Sequence, residues 1–129
     1  MANSAGSARS EGTEVTLRSK TMLLDFAGEC QVEGAGDAVR LTELWLTADL
    51  PDAGGAEDGG TVQLELDGDV LTATVVQPGG KVELTAREPV RWSASGGDVQ
   101  PVDEEIGFVL AEAPESTVLL VRGLTVRMS

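Results

Sequence analysis

The sequence predicts an all-β domain, either an antiparallel β-sandwich or a small β-barrel of roughly nine or ten short strands. Three observations predict it. Apolar residues recur at every second position in short runs, the period of a strand with one buried face. Clusters of Gly, Pro and Asp separate those runs, which marks turns. No stretch is long enough and periodic enough to supply the crossover helices of a parallel sheet. Counting strands does not by itself separate a sandwich from a barrel.

Each element has its own justification. Val15 and Leu17 alternate with Glu14, Thr16 and Arg18, as in a half-buried strand. Met22, Leu24 and Phe26 share one face, and Cys30 and Val32 resume the alternation after Gly28. Gly34 to Asp37 reads as a turn. From Ala38 to Leu50 two phases compete: Val39 and Leu41 hold one, Leu44, Leu46, Ala48 and Leu50 the other. A β-bulge near Thr42 and Glu43 reconciles them. A short helix through Leu41, Leu44 and Ala48 is the competing reading, which Thr42, Trp45 and Thr47 disfavour. Pro51 to Gly60 reads as a loop.

The clearest unit follows. A turn centred on Asp67 and Gly68 pairs Leu64 with Leu71 and Val62 with Ala73. A turn centred on Pro78 and Gly79 pairs Val75 with Val82, Ala73 with Leu84 and Leu71 with Ala86. One apolar face then runs across three strands. Val90 and Trp92 suggest a short strand, and Gly96 to Glu105 reads as a second open loop. Ile106, Phe108 and Leu110 alternate, and Ala113 to Ser116 turns the chain. Val118 to Val121 is apolar on both faces, as is the segment 21–24. Leu124, Val126 and Met128 form the last strand.

The length of 129 residues suits one domain, large enough to bury about two-thirds of its unfolded surface. Residues 1–12 are rich in Ser, Ala and Gly and lack the apolar stretch of a signal peptide. They read as a disordered leader, and 13–129 as a single all-β domain. With two Phe, two Trp and no Tyr, the core must come mainly from aliphatic residues.

Charge and composition narrow the function. A net charge of -13 repels phosphate backbones and anionic lipid surfaces, so neither nucleic acid nor membrane is the expected partner. Only Lys20 and Lys81 are lysines, a balance that also suits high salt. A lone cysteine, Cys30, forms no internal disulfide, which favours a cytoplasmic setting. In phase with Val32, it reads as a small buried hydrophobe.

The missing residues exclude whole chemistries. Without histidine there is no Ser-His-Asp or Cys-His arrangement and no zinc site of His and Cys. No glycine signature for nucleotides is present, so no cofactor is expected. Enzyme activity stays open in one form. A cofactor-free cyclase or isomerase needs little more than shape, exclusion of water and one or two polar groups. Asp25, Glu29, Glu43 and Glu112 are the carboxylates that an apolar pocket would tune for such work.

Three groups of binding candidates remain. Trp45 shares a face with Thr47 and Asp49, the polar side of its strand, and an exposed tryptophan marks a contact; the bulge could instead turn it into the core. Trp92 is in phase with Val90 and Ala94 and fits the core better. Asp25 shares a face with Thr21 and Leu23 and would line a barrel that took a small apolar ligand. No metal is expected. The weak calcium candidates are Asp52, Glu57 and Asp58 in one loop, and Asp98, Asp103, Glu104 and Glu105 in another. Neither loop has the ordered spacing of an EF-hand, and solvated surface is the plainer reading.

The expected function is therefore a structural or protein-interaction module, a homo-oligomer or the partner of another protein, assembling through strand faces. A small-molecule-binding barrel is the alternative, and a calcium-assisted surface or carbohydrate-binding module a further one.

Overall fold

The computed structural model of the chain describes residues 3–34, 36–51 and 59–128. Among these residues the chain forms eleven strands and one 3₁₀ turn at Gly36–Ala38. The strands are β1 (Asn3–Leu17), β2 (Lys20–Glu33), β3 (Arg40–Asp49), β4 (Thr61–Asp67), β5 (Val70–Gln77), β6 (Gly80–Ala86), β7 (Trp92–Ser95), β8 (Asp98–Pro101), β9 (Glu105–Leu110), β10 (Ala113–Arg122) and β11 (Val126–Met128). Eight of them close an antiparallel barrel in the order β1-β2-β3-β4-β5-β6-β9-β10, with β10 returning to β1. The architecture is a barrel, not a sandwich.

Closure depends on the length of β1. Its C-terminal half pairs with β10, Glu14 opposite Arg122 through to Leu17 opposite Leu119. Its N-terminal half pairs instead with β11, Ala8 opposite Met128. β8 and β7 continue outward from β11, and β7 packs against the 3₁₀ turn and β3. Trp92 opens β7 and is buried there with Val39 and Leu41 in the core. The β7–β8 hairpin thus sets its indole against the 3₁₀ turn and β3.

The interior is filled. Phe26, Phe108, Leu46, Leu64, Leu71, Leu84 and Leu119 are the largest fully buried side chains. Outward positions carry Glu, Thr, Lys and Asp. This polarity, apolar within and polar without, is the reverse of a membrane-spanning barrel. No helix among the described residues is long and apolar enough to cross a membrane.

Several expectations are corrected. Residues 3–10 form a continuous ladder with β2. Small side chains suffice there: Ala8 is buried between two strands. β2 also runs unbroken through Gly28. A Cβ at Gly28 would lie 1.8 Å from the Trp45 carbonyl oxygen, so glycine permits a close approach of β2 and β3 where a side chain would end it. The first hairpin turns on Gly68 and Asp69, with Asp67 opposite Val70 and Leu64 opposite Ala73. Gly68 has φ of +65°, so the residue free of a Cβ penalty takes the first loop position. The two-residue slip leaves every side chain on its expected face, which is why the same apolar set is buried. The second hairpin has the expected register, Val75 opposite Val82 and Ala73 opposite Leu84. The supposed open loop at 96–105 contains β8, hairpinned to β7 through Gly96 and Gly97. β10 begins at Ala113, and residues 114–116 bulge from its ladder with β9, where Arg87 donates to the Glu115 carbonyl and to Thr117 Oγ1.

Candidate functional site

The bulge expected in β3 decides where Trp45 points. Gln31 pairs with Glu43 and Val32 with Leu41, so Thr42 is the extra residue. Leu41 and Leu44 are both buried, while Thr42 and Glu43 are both exposed. Trp45 therefore falls on the outer wall, 46% exposed.

Its neighbours are set by register. Glu29 on β2 and Glu65 on β4 lie directly opposite Trp45 on either side. Such opposed residues have Cβ atoms about 4.5–5.5 Å apart. The β3–β4 ladder ends at this pair, and beyond it Glu43 and Leu44 part from Leu66. A groove of about 360 Å³ opens there, lined by Trp45, Glu29, Glu43, Glu65, Gln31 and Gly6 among others. Gln63 donates to Glu65 Oε2 at 3.4 Å.

Among the described residues no ion pair compensates the charge of the groove. Ion pairs among the described residues join Arg9 to Glu11, Lys81 to Glu83, Arg122 to Glu14 and Glu105, and Arg127 to Asp98. Among those residues none brings a cation to Glu29, Glu43 or Glu65. Thr47, next along the same outward face, has a buried Oγ1 without a hydrogen-bond partner among the described residues.

Trp92, Asp25 and Glu112 lie apart from this groove. Trp92 is 6% exposed and belongs to the core. Asp25 is exposed, and its Oδ1 accepts a hydrogen bond from Gly12 N–H at 2.8 Å. There Glu11 and Gly12 stand where the β1–β2 register slips. The slip turns both Ser10 and Thr13 inward, where their hydroxyls bond to each other. Asp25 thus closes a backbone irregularity from outside and lines no chamber. Glu29, Glu43 and Glu112 are also exposed, the first two on the groove beside Trp45. Cys30 is buried, and loss of hydration pushes its thiol up to about 11.

Of the calcium candidates, Asp52, Glu57 and Asp58 lie outside the described residues. Asp98 pairs with Arg127 at 3.6 Å. Glu105 holds Arg122 at 2.9 Å. Asp103 and Glu104 are exposed between β8 and β9. No three acidic, Cys or His residues converge on a metal position among the described residues.

Larger grooves are also present, one of them sharing Glu65 with the Trp45 groove. One of about 670 Å³ lies beside Trp92 and mixes Arg40, Arg91 and Asp69 with Val102. Another of about 790 Å³ crosses the outer face of β4 to β6. Neither presents an exposed aromatic ring. Sequence reasoning found Trp45 and named Glu29 and Glu43, but did not join them. Glu65 was missed altogether, and the alternation of β4 supplies only its outward direction. Its place beside Trp45 needs the β3–β4 register. No family model, no curated protein and no solved structure matches the chain.

Proposed function

We propose that this chain is a protein-interaction module that binds through its outer wall at Trp45. The observation that carries this reading is a large aromatic side chain held half in solvent, in a concave groove, on a barrel whose interior is filled by its own side chains. Leaving an indole in water forgoes hydrophobic stabilisation, and aromatic anchors in grooves concentrate binding energy at interfaces. A small-molecule barrel needs a chamber; Phe26, Phe108 and the buried leucines occupy that space.

The partner is more simply another protein than a second copy. A two-fold contact through this face would set Glu29, Glu43 and Glu65 against the same three residues, and like charges brought together across an interface are costly. Leu23, 70% exposed, is a poorer anchor, lying in a row with Glu14, Arg122 and Glu105 that is already joined by ion pairs.

The test is native mass spectrometry of the protein purified gently from its host, wild type beside Trp45→Ala. A co-purified protein present with the wild type and lost from a folded Trp45→Ala variant is expected. A partner retained equally by both, or a small-molecule adduct on a single subunit, would overturn the proposal.

A further inference from the structure

Resting on the reading of Trp45 as a contact, we infer that the groove receives a cationic side chain, arginine or lysine, from an extended basic segment of the partner. Three observations converge. The indole is exposed at the point where β3 and β4 part, so a ring face is available to a cation. Glu29 and Glu65 flank it across both ladders, with Glu43 beside it on β3. No cation of the chain itself reaches these carboxylates among the described residues, although Arg122 and Arg127 satisfy acids elsewhere on the wall. A guanidinium seated on the indole would meet a carboxylate on either side, combining ring stacking with charge-assisted hydrogen bonds. The volume, about 360 Å³, is at the small end for a ligand site and suits one side chain with its local backbone. The net charge of -13 would steer a basic segment toward the barrel, while the ring and its flanking acids select where it docks.

The experiment titrates the ¹⁵N-labelled full chain with a nine-residue Gly-Ser peptide carrying three arginines at alternate positions. A peptide with glutamine at those positions is the control. The indole N–H resonance of Trp45, assigned by its loss in Trp45→Ala, reports binding. A saturable shift with the arginine peptide and none with the glutamine peptide is expected. Affinity should fall about fivefold or more in Trp45→Ala, read from neighbouring backbone amides. It should also fall in Glu29→Gln/Glu65→Gln, which keeps the shape of the groove. Equal binding by wild type and variants would reduce the effect to the overall negative field and overturn the inference. Failure of the arginine peptide to bind the wild type would overturn it as well. If native mass spectrometry meanwhile retains a Trp45-dependent partner, the interaction reading stands and only the basic chemistry falls. If both fail, Trp45 is not a contact.

Discussion

Single residues on this barrel are placed by small backbone events. Trp45 faces solvent because Thr42 adds one residue to β3; without that addition the phase of Leu41 would carry through and turn the indole inward. The bulge was legible because two apolar phases in one strand cannot both be served by a two-residue period. The acidic flanks were not legible, because ladder register is a long-range property. Cys30 shows the residue scale in its simplest form, a thiol in phase with Val32 and buried as a hydrophobe. Its titration gives a sign. Burial favours the neutral thiol, so the folded value, about 11, lies above the unfolded value near 9.0. The stability this confers is fully present below about pH 9 and is lost as pH rises through about 11. Urea unfolding of wild type and Cys30→Val should therefore diverge by roughly 2 kcal/mol between pH 8.5 and 11, the wild type losing more. Parallel pH profiles would mean that Cys30 is hydrated in the fold.

At the scale of elements, turn chemistry separates what the sequence discloses from what it conceals. The β5–β6 register was legible because Pro78 and Gly79 announce their turn. The β4–β5 turn was misplaced by one residue, which slips the pairing by two, because Asp67-Gly68 and Gly68-Asp69 both suit a hairpin. The β1–β2 turn gave no signal at all. Arg18 and Ser19 have φ of +51° and +74°, a conformation that ordinarily calls for Asn-Gly. They hold it because Leu17 pairs with Lys20 and Arg18 N–H donates to the Val118 carbonyl at 3.3 Å. Replacing the pair by Asn-Gly should raise stability by about 1 kcal/mol, measured as a higher denaturant midpoint with an unchanged slope. A lower midpoint would show that the Arg18 side chain contributes more than its backbone costs. The N-terminal half of β1 was hidden for another reason. A run of Ser, Ala and Gly has little strand propensity of its own, and it is ordered by the ladders of β2 and β11 on either side.

For the whole molecule, composition and alternation were enough for an all-β domain, and the choice between sandwich and barrel rested on β1. A fifteen-residue strand can pair with β10 at one end and β11 at the other, closing the wall while β11, β8 and β7 extend from it. A small barrel is usually expected to be a container; here large apolar side chains are buried inside, and the proposed contact lies on the outer wall at Trp45. That claim is tested most directly by fluorescence quenching of the two tryptophans with neutral acrylamide, cesium and iodide at low salt. Two populations are expected, Trp92 shielded from all three quenchers and Trp45 accessible, with cesium more effective than iodide when each is normalised to its quenching of free N-acetyltryptophanamide, because Glu29, Glu43 and Glu65 surround the indole. In Trp45→Phe the accessible population should vanish while the shielded one remains. A single shielded population in the wild type, or normalised iodide quenching as strong as normalised cesium quenching, would place Trp45 away from an acidic outer groove.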